Sequence, residues 1–177
     1  TTAFDGYDEV VVATGATARK LRLTGFEKSV EACDYLRGRK EVGDKVIIIG
    51  GGLSGCEIAY DLYLKGKTPV IIEMRNDLMI GAGICLANSS YLRDFFSHNN
   101  VEVHLETGLN EITDTGVIVT DKDGKKFEIT GDNVIVSVGY IPTPQETSKP
   151  AQLVGDCLKI GNLRSVMWKA WDIAMKL

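Results

Sequence analysis

The 177-residue sequence predicts an α/β fold in which a mostly parallel sheet carries a three-stranded antiparallel meander. Three observations predict it. Continuous β-branched runs near residues 10–13, 45–49 and 134–138 suit strands buried on both faces, as in parallel sheets. One of them, Lys45-Val46-Ile47-Ile48-Ile49, runs straight into a glycine turn, a helical stretch and another buried run, the pattern of a right-handed strand–helix–strand unit. Between residues 106 and 130 the pattern changes to short alternating runs separated by Asp114-Thr115 and Asp123-Gly124, and Asp-Gly is a strong hairpin signal.

The elements follow in order. Residues 8–13 form a strand ending in Thr14-Gly15. Residues 16–42 read as irregular apart from a short helix over residues 29–37, with Ser29 a candidate cap. After the strand at 45–49, helix formers occupy residues 54–65 and Gly66 closes them as a C-cap. Pro69 opens the next strand, residues 69–73, because a first residue need not donate to the ladder. A helix over 86–98 and a strand over 101–105 precede the meander, whose strands are placed at 111–113, 116–120 and 126–129. Residues 134–138 resume the buried pattern and stop at Gly139. Residues 141–151 hold three of the four prolines and read as a linker. A short strand at 152–154, then Gly155-Asp156, lead to a helix over residues 165–176. Its Val166, Trp168, Trp171, Ile173 and Ala174 cover more than one face, which calls for a sizeable packing partner.

Composition narrows the function. A formal net charge of −4 offers no basic surface for a polyanion, so nucleic acid is not an expected partner. No apolar run reaches the roughly 20 residues of a membrane span, and the first five residues do not resemble a secretory signal. The four cysteines, at 33, 56, 85 and 157, form no CxxC, so neither a thioredoxin-type dithiol nor a compact iron–sulfur ligand set is encoded. They read as reduced thiols of a cytoplasmic chain. His98 and His104 read as solvated or packed side chains. No Ser/His/Asp or Cys/His constellation and no metal site is legible.

The chemistry lies in Gly50-Gly51-Gly52-Leu53-Ser54-Gly55, which satisfies G-x-G-x-x-G between a buried strand and a helix. Gly50 permits the tight turn, Gly52 leaves room for a pyrophosphate, and Gly55 lets helix and strand pack closely. The helix N-terminus offers free N–H groups and a positive dipole end to the phosphates. Glu73, 18 residues after Gly55, ends the next strand, where a carboxylate accepts hydrogen bonds from the adenosine ribose and repels a 2′-phosphate. That favours NAD(H). Met74 and Arg75 follow it, and Arg75 keeps NADP(H) open as the alternative. Glu57 sits on the first full turn of the helix, where an acid complements the dipole.

The run Val10-Val11-Val12-Ala13-Thr14-Gly15-Ala16, the fingerprint from Gly50 to Glu57, then Val136-Ser137-Val138-Gly139 and Val154-Gly155-Asp156 appear in that order. In this the chain resembles the two-dinucleotide-binding-domain flavoproteins (pyridine nucleotide-disulfide oxidoreductase-like). The lack of CxxC and the texture of the last 23 residues resemble most the C-terminal FAD/NAD(P) halves of enoate reductase, 2,4-dienoyl-CoA reductase and NADH:flavin oxidoreductase, relatives of old yellow enzyme. The resemblance implies a Rossmann-like FAD/NAD(P)-binding fold, with the NAD(P) domain inserted into an FAD domain. It further implies that the parent protein is an NAD(P)H-dependent flavoprotein oxidoreductase. Residue by residue, Gly50, Gly52, Gly55 and Glu73 match the family's nicotinamide dinucleotide site, and Glu57 matches an acid near nicotinamide and flavin. Thr14, Gly15 and Gly139 match the crossings between the domains. Gly155 and Asp156 match the motif whose Asp touches the ribityl or pyrophosphate part of FAD.

The departures imply a fragment. No strand–GxGxxG–helix precedes Val10, and neither a flavin-bearing barrel nor a proton-donating pair is present. The expectation is a remnant of an FAD domain at residues 1–42, an NAD(P)-binding domain at 43–140, and a linker with a second remnant at 141–177. No catalytic acid or base is expected within the chain, which should be inactive alone. FMN and an iron–sulfur cluster would belong to missing flavin-bearing parts of the parent. An NADH oxidase, a ferredoxin-reductase-type flavoprotein, or a nucleotide-binding module without turnover are the alternatives.

Overall fold

The computed structural model describes Phe4 and residues 6–81 and 83–177; Thr1, Thr2, Ala3 and Asp5, on which the reading of the N-terminus rests, lie outside the described residues. The chain divides into two compact units, one of Lys20–Val138, the other of the residues up to Arg19 together with Gly139–Leu177. It starts in the latter with β1 (Val11–Val12) and β2 (Ala16–Ala18). The Lys20–Val138 unit then runs through β3 (Val30–Glu31), α1 (Ala32–Leu36), β4 (Lys45–Ile49), α2 (Leu53–Leu64) and β5 (Thr68–Ile72). It continues with α3 (Leu86–His98), β6 (Glu102–His104), β7 (Gly108–Ile112), β8 (Gly116–Thr120), β9 (Lys126–Thr130) and β10 (Asn133–Val136). The chain re-enters the other unit through β11 (Tyr140–Pro142), β12 (Gln152–Leu153) and α4 (Leu163–Ala174).

The larger unit is built on a sheet of order β3-β10-β4-β5-β6 in which every pair is parallel. Its two faces are covered differently. Val46, Ile48, Ile71 and Ile135 pack with Ile58, Ala59, Leu62, Leu92 and Phe96 of α2 and α3. Ile47, Ile49, Val70, Ile72, Val134 and Val136 pack on the antiparallel β7-β8-β9 meander through Ile112, Val117, Val119 and Ile129. Both faces are covered by apolar side chains, so the strands show no alternation. Each fully buried isoleucine contributes about 1.5–3 kcal/mol. The β8–β9 hairpin turns where the sequence indicates: Asp121 Oδ1 accepts the N–H groups of Asp123 (3.0 Å) and Lys125 (2.9 Å) while Gly124 takes φ +80°. Helix α2 ends as expected at Gly66. The Gly66 N–H donates to Tyr63 O (2.9 Å) and the Lys67 N–H to Leu62 O (3.0 Å), a Schellman closure.

Several expectations change. Ser29 does not cap a helix; its Oγ donates to Phe26 O (2.6 Å), and α1 starts after Glu31, which extends from β3. Residues 20–42 lie with the larger unit, not before it, because β3 pairs with β10 and Leu21, Leu23 and Phe26 pack on the meander cluster. Helix α3 lies where the sequence places it, with Ser89, Leu92 and Phe96 buried and Leu86 and Tyr91 exposed.

In the smaller unit β1 pairs with β12 in parallel around a core of Val10, Val12 and Cys157. Val11 is exposed, so this strand is not covered on both faces. The expected linker begins as a strand: β11 pairs antiparallel with β2, matching Ile141 to Thr17. Helix α4 starts at Leu163 behind a reciprocal cap, in which Asn162 Oδ1 accepts the Ser165 N–H and Ser165 Oγ accepts the Asn162 N–H, both at 3.0 Å. Ile173 is buried, but Trp168 and Trp171 are each 60% exposed among the described residues. Among those residues no helix is long and apolar enough to cross a membrane.

Candidate functional site

The carboxyl end of β4 delivers the glycine turn, and two of its glycines, Gly50 and Gly55, are demanded by backbone packing. Gly50 takes φ +105°, a region closed to most side chains, and a Cβ on it would lie 2.4 Å from Ser137 O. A Cβ on Gly55 would lie 1.9 Å from Gly50 O, so helix and turn meet backbone to backbone. A Cβ on Gly51 would meet Leu78 Cδ2 at 2.5 Å. Gly52 is different. It is exposed, its φ of −69° and ψ of 178° suit any residue, and nothing lies within 4 Å of where its Cβ would be. The fold does not need a glycine there.

Behind that opening lies the start of α2. Its first closing bond runs from the Cys56 N–H to Gly52 O (3.0 Å), so the Leu53, Ser54 and Gly55 N–H groups precede the ladder and have no intrahelical acceptor. The aligned peptides add roughly half a positive charge at this end. Ser54 and Glu57 are exposed on the first turn. The Gly50 N–H is already committed to Ile72 O (2.9 Å), across the β4–β5 pair.

Glu73 sits directly after β5 and is buried. Its Oε2 accepts the Gly51 N–H at 2.7 Å and its Oε1 the Arg75 N–H at 2.8 Å. The carboxylate is therefore part of the turn's own framework, a role that reading the sequence for a ribose ligand missed. Two of its roughly four acceptor positions are used. Met74 is largely exposed, and the Arg75 guanidinium donates to Ile80 O at 2.7 Å. Beneath the turn, Cys56 Sγ donates to Gly51 O (3.4 Å); burial pushes this thiol up to about 12, so it stays protonated at neutral pH. His104, read as packed or solvated, has Nε2 2.8 Å from Glu102 Oε1.

The remaining sequence-predicted residues lie in the smaller unit. Thr14 Oγ1 donates to Thr143 O (2.7 Å), and the Thr143 N–H donates to Gly15 O (3.1 Å). Gly15 and Gly139 take φ of +74° and +88°, with open space where a Cβ would stand, and the Arg19 N–H donates to Gly139 O at 2.9 Å. Gly155 opens a single 3₁₀ turn with φ +71°, and Asp156 Oδ1 accepts the Gly161 N–H at 3.1 Å. The buried Cys157 Sγ donates to Val12 O (3.1 Å), tying this turn to the end of β1. The predicted residues thus form two groups, one around α2 and one around β1, β2, β11 and the 155–157 turn.

Residues 3–156 match the family model described as pyridine nucleotide-disulphide oxidoreductase. The chain belongs to this family. Among its relatives, the cinnamate reductase of Clostridium sporogenes is 37% identical over 97% of the chain and 27% of that protein. The NADH oxidase of Thermoanaerobacter brockii is 28% identical over 96% of the chain and 28% of its own length. A solved structure of a 2-naphthoyl-CoA reductase with 2-naphthoyl-CoA superposes with a TM-score of 0.83 at 23% identity, covering 96% of this chain and 27% of that one; it shows the fold. The chain spans a little over a quarter of the length of these two relatives.

Proposed function

We propose that the chain is the pyridine-nucleotide-binding portion of a flavin-dependent oxidoreductase. On this reading NAD(H) is bound along residues 50–55, and electrons pass through FAD to an enoate-type substrate elsewhere in the parent protein. One observation carries it: Gly52 faces open space at the mouth of α2, where unpaired amides meet a glycine the fold does not require. The residues fit a dinucleotide, with Leu53, Ser54 and Gly55 offering N–H groups to the diphosphate and Glu73 its remaining acceptor positions to the ribose. The chemistry these groups supply when bound is hydride transfer from reduced nicotinamide to flavin. The chain's part is to bind and orient. Thr14, Gly15, Gly139, Gly155 and Asp156 are its proposed contributions to the FAD side, and Glu57 is proposed to approach the nicotinamide. The greater identity to a cinnamate reductase than to an NADH oxidase supports an enoate as substrate.

The nucleotide preference gives the test. Titrated into the purified chain, NADH should bind about tenfold tighter than NADPH, since Glu73 and a 2′-phosphate repel at close range. Glu73→Gln removes the charge and, because an amide nitrogen cannot accept an N–H, one of the two framework hydrogen bonds, and should narrow that gap. Glu73→Ala should narrow it too, and weaken both ligands by releasing the Gly51 amide. Equal affinities in the unmutated protein would refute the assignment of Glu73.

A further inference from the structure

Gly51 is held by both of its backbone polar groups. Its N–H donates to Glu73, and its carbonyl accepts the Met79 N–H at 2.7 Å as well as the Cys56 thiol. Every described peptide is trans, so the Gly52 N–H points opposite to the Gly51 carbonyl. Holding that carbonyl against Met79, which is buried beside Leu78, turns the Gly52 amide away from the protein interior.

Met79 does not reach this place easily. It takes φ +53°, a left-handed conformation rare for any residue but glycine. Such a conformation persists where the surroundings over-determine it. The surroundings here are Arg93 on α3. Its Nε donates to Asp77 Oδ1 at 3.0 Å, its Nη2 pairs with Asp77 Oδ2 at 3.0 Å, and the same Nη2 donates to Leu78 O. Asp77 Oδ1 also accepts the Leu78 N–H at 2.7 Å, so the segment just before Met79 is fixed through side chain and backbone together. A two-pronged guanidinium–carboxylate contact is directional in a way a single ammonium contact is not.

We propose that Arg93, acting through Asp77 and the Leu78 carbonyl, is a positioning residue for the nucleotide site: it seats Met79 on Gly51 and so aims the Gly52 amide at the bound diphosphate. The inference rests on the nucleotide reading above and adds to it a residue outside the glycine turn and the strand end. Arg93 itself touches no ligand in this account.

The test compares unmutated chain, Arg93→Met and Asp77→Asn. Asp77 is half exposed, so its variant leaves the fold least disturbed. Two quantities are read: the Kd for NADH, and the exchange rates of individual backbone amides by NMR. Arg93→Met should raise the Kd about tenfold, as expected for the loss of a directional charged contact. It should also speed exchange of the Met79 amide while amides of β4 and the body of α2 keep their rates. Asp77→Asn should move both in the same direction by less. A merely structural role would lower global stability without this local pattern. An NADH Kd within twofold of the unmutated value in Arg93→Met, or an unchanged Met79 amide, overturns the proposal alone. Failure of the unmutated chain to bind NADH overturns the nucleotide reading and this inference with it.

Discussion

Replacing Gly52 with valine should weaken NADH binding by one to two powers of ten, the price of pushing a side chain into close contact. The fold should survive. The backbone at Gly52 is extended, and no atom lies within 4 Å of where its Cβ would stand, so the first added carbon meets no protein atom. Valine is a poorer residue than glycine at a helix start, which costs at most about 1 kcal/mol and shifts Tm by about 2–4 °C. Calorimetric titration with NADH, paired with a thermal scan, checks both halves. Retained affinity would mean that the diphosphate does not lie against this turn.

Gly55→Ala should behave in the opposite way, through the fold and not the ligand. Its methyl would stand 1.9 Å from Gly50 O, and both partners are backbone, so neither can rotate aside. Prising α2 from the turn should cost about 3 kcal/mol, near the upper end for added atoms in a packed interior. That lowers Tm by about 10 °C. Far-ultraviolet circular dichroism is the appropriate probe, because Trp168 and Trp171 both lie on α4, outside the Lys20–Val138 unit. A Tm within about 2 °C of the unmutated value would show that helix and strand do not meet as closely as described.

The two substitutions separate what the glycine spacing merges. From sequence, Gly50, Gly52 and Gly55 form one motif, and its placement between a buried strand and a helix was legible because β4 is covered on both faces. Only the coordinates assign Gly50 and Gly55 to packing and Gly52 to open space. The meander was legible for a similar local reason, the Asp123-Gly124 turn between alternating runs. What escaped the sequence depends on distant partners. Thr17 and Ile141 pair in β2 and β11, and no local pattern in the proline-rich stretch announces that strand. Residues 20–42 read as irregular because β3 has two residues and borrows its stability from β10. Arg93 and Asp77 lie 16 residues apart on a helix and a loop, so their contact has no helical or strand period to betray it. Glu73 stands out in the sequence by its position at a strand end, but its hold on the Gly51 amide follows from the shape of the turn. Trp168 and Trp171 suggest burial by type, and the described residues leave them exposed.

The central claim is that a diphosphate docks on the open start of α2, and amide chemical shifts observed during an NADH titration test it most directly. The backbone resonances of Gly52, Leu53, Ser54 and Gly55 should move together and saturate at one nucleotide per chain. Saturable shifts confined to other residues, with these four amides unmoved, would contradict it.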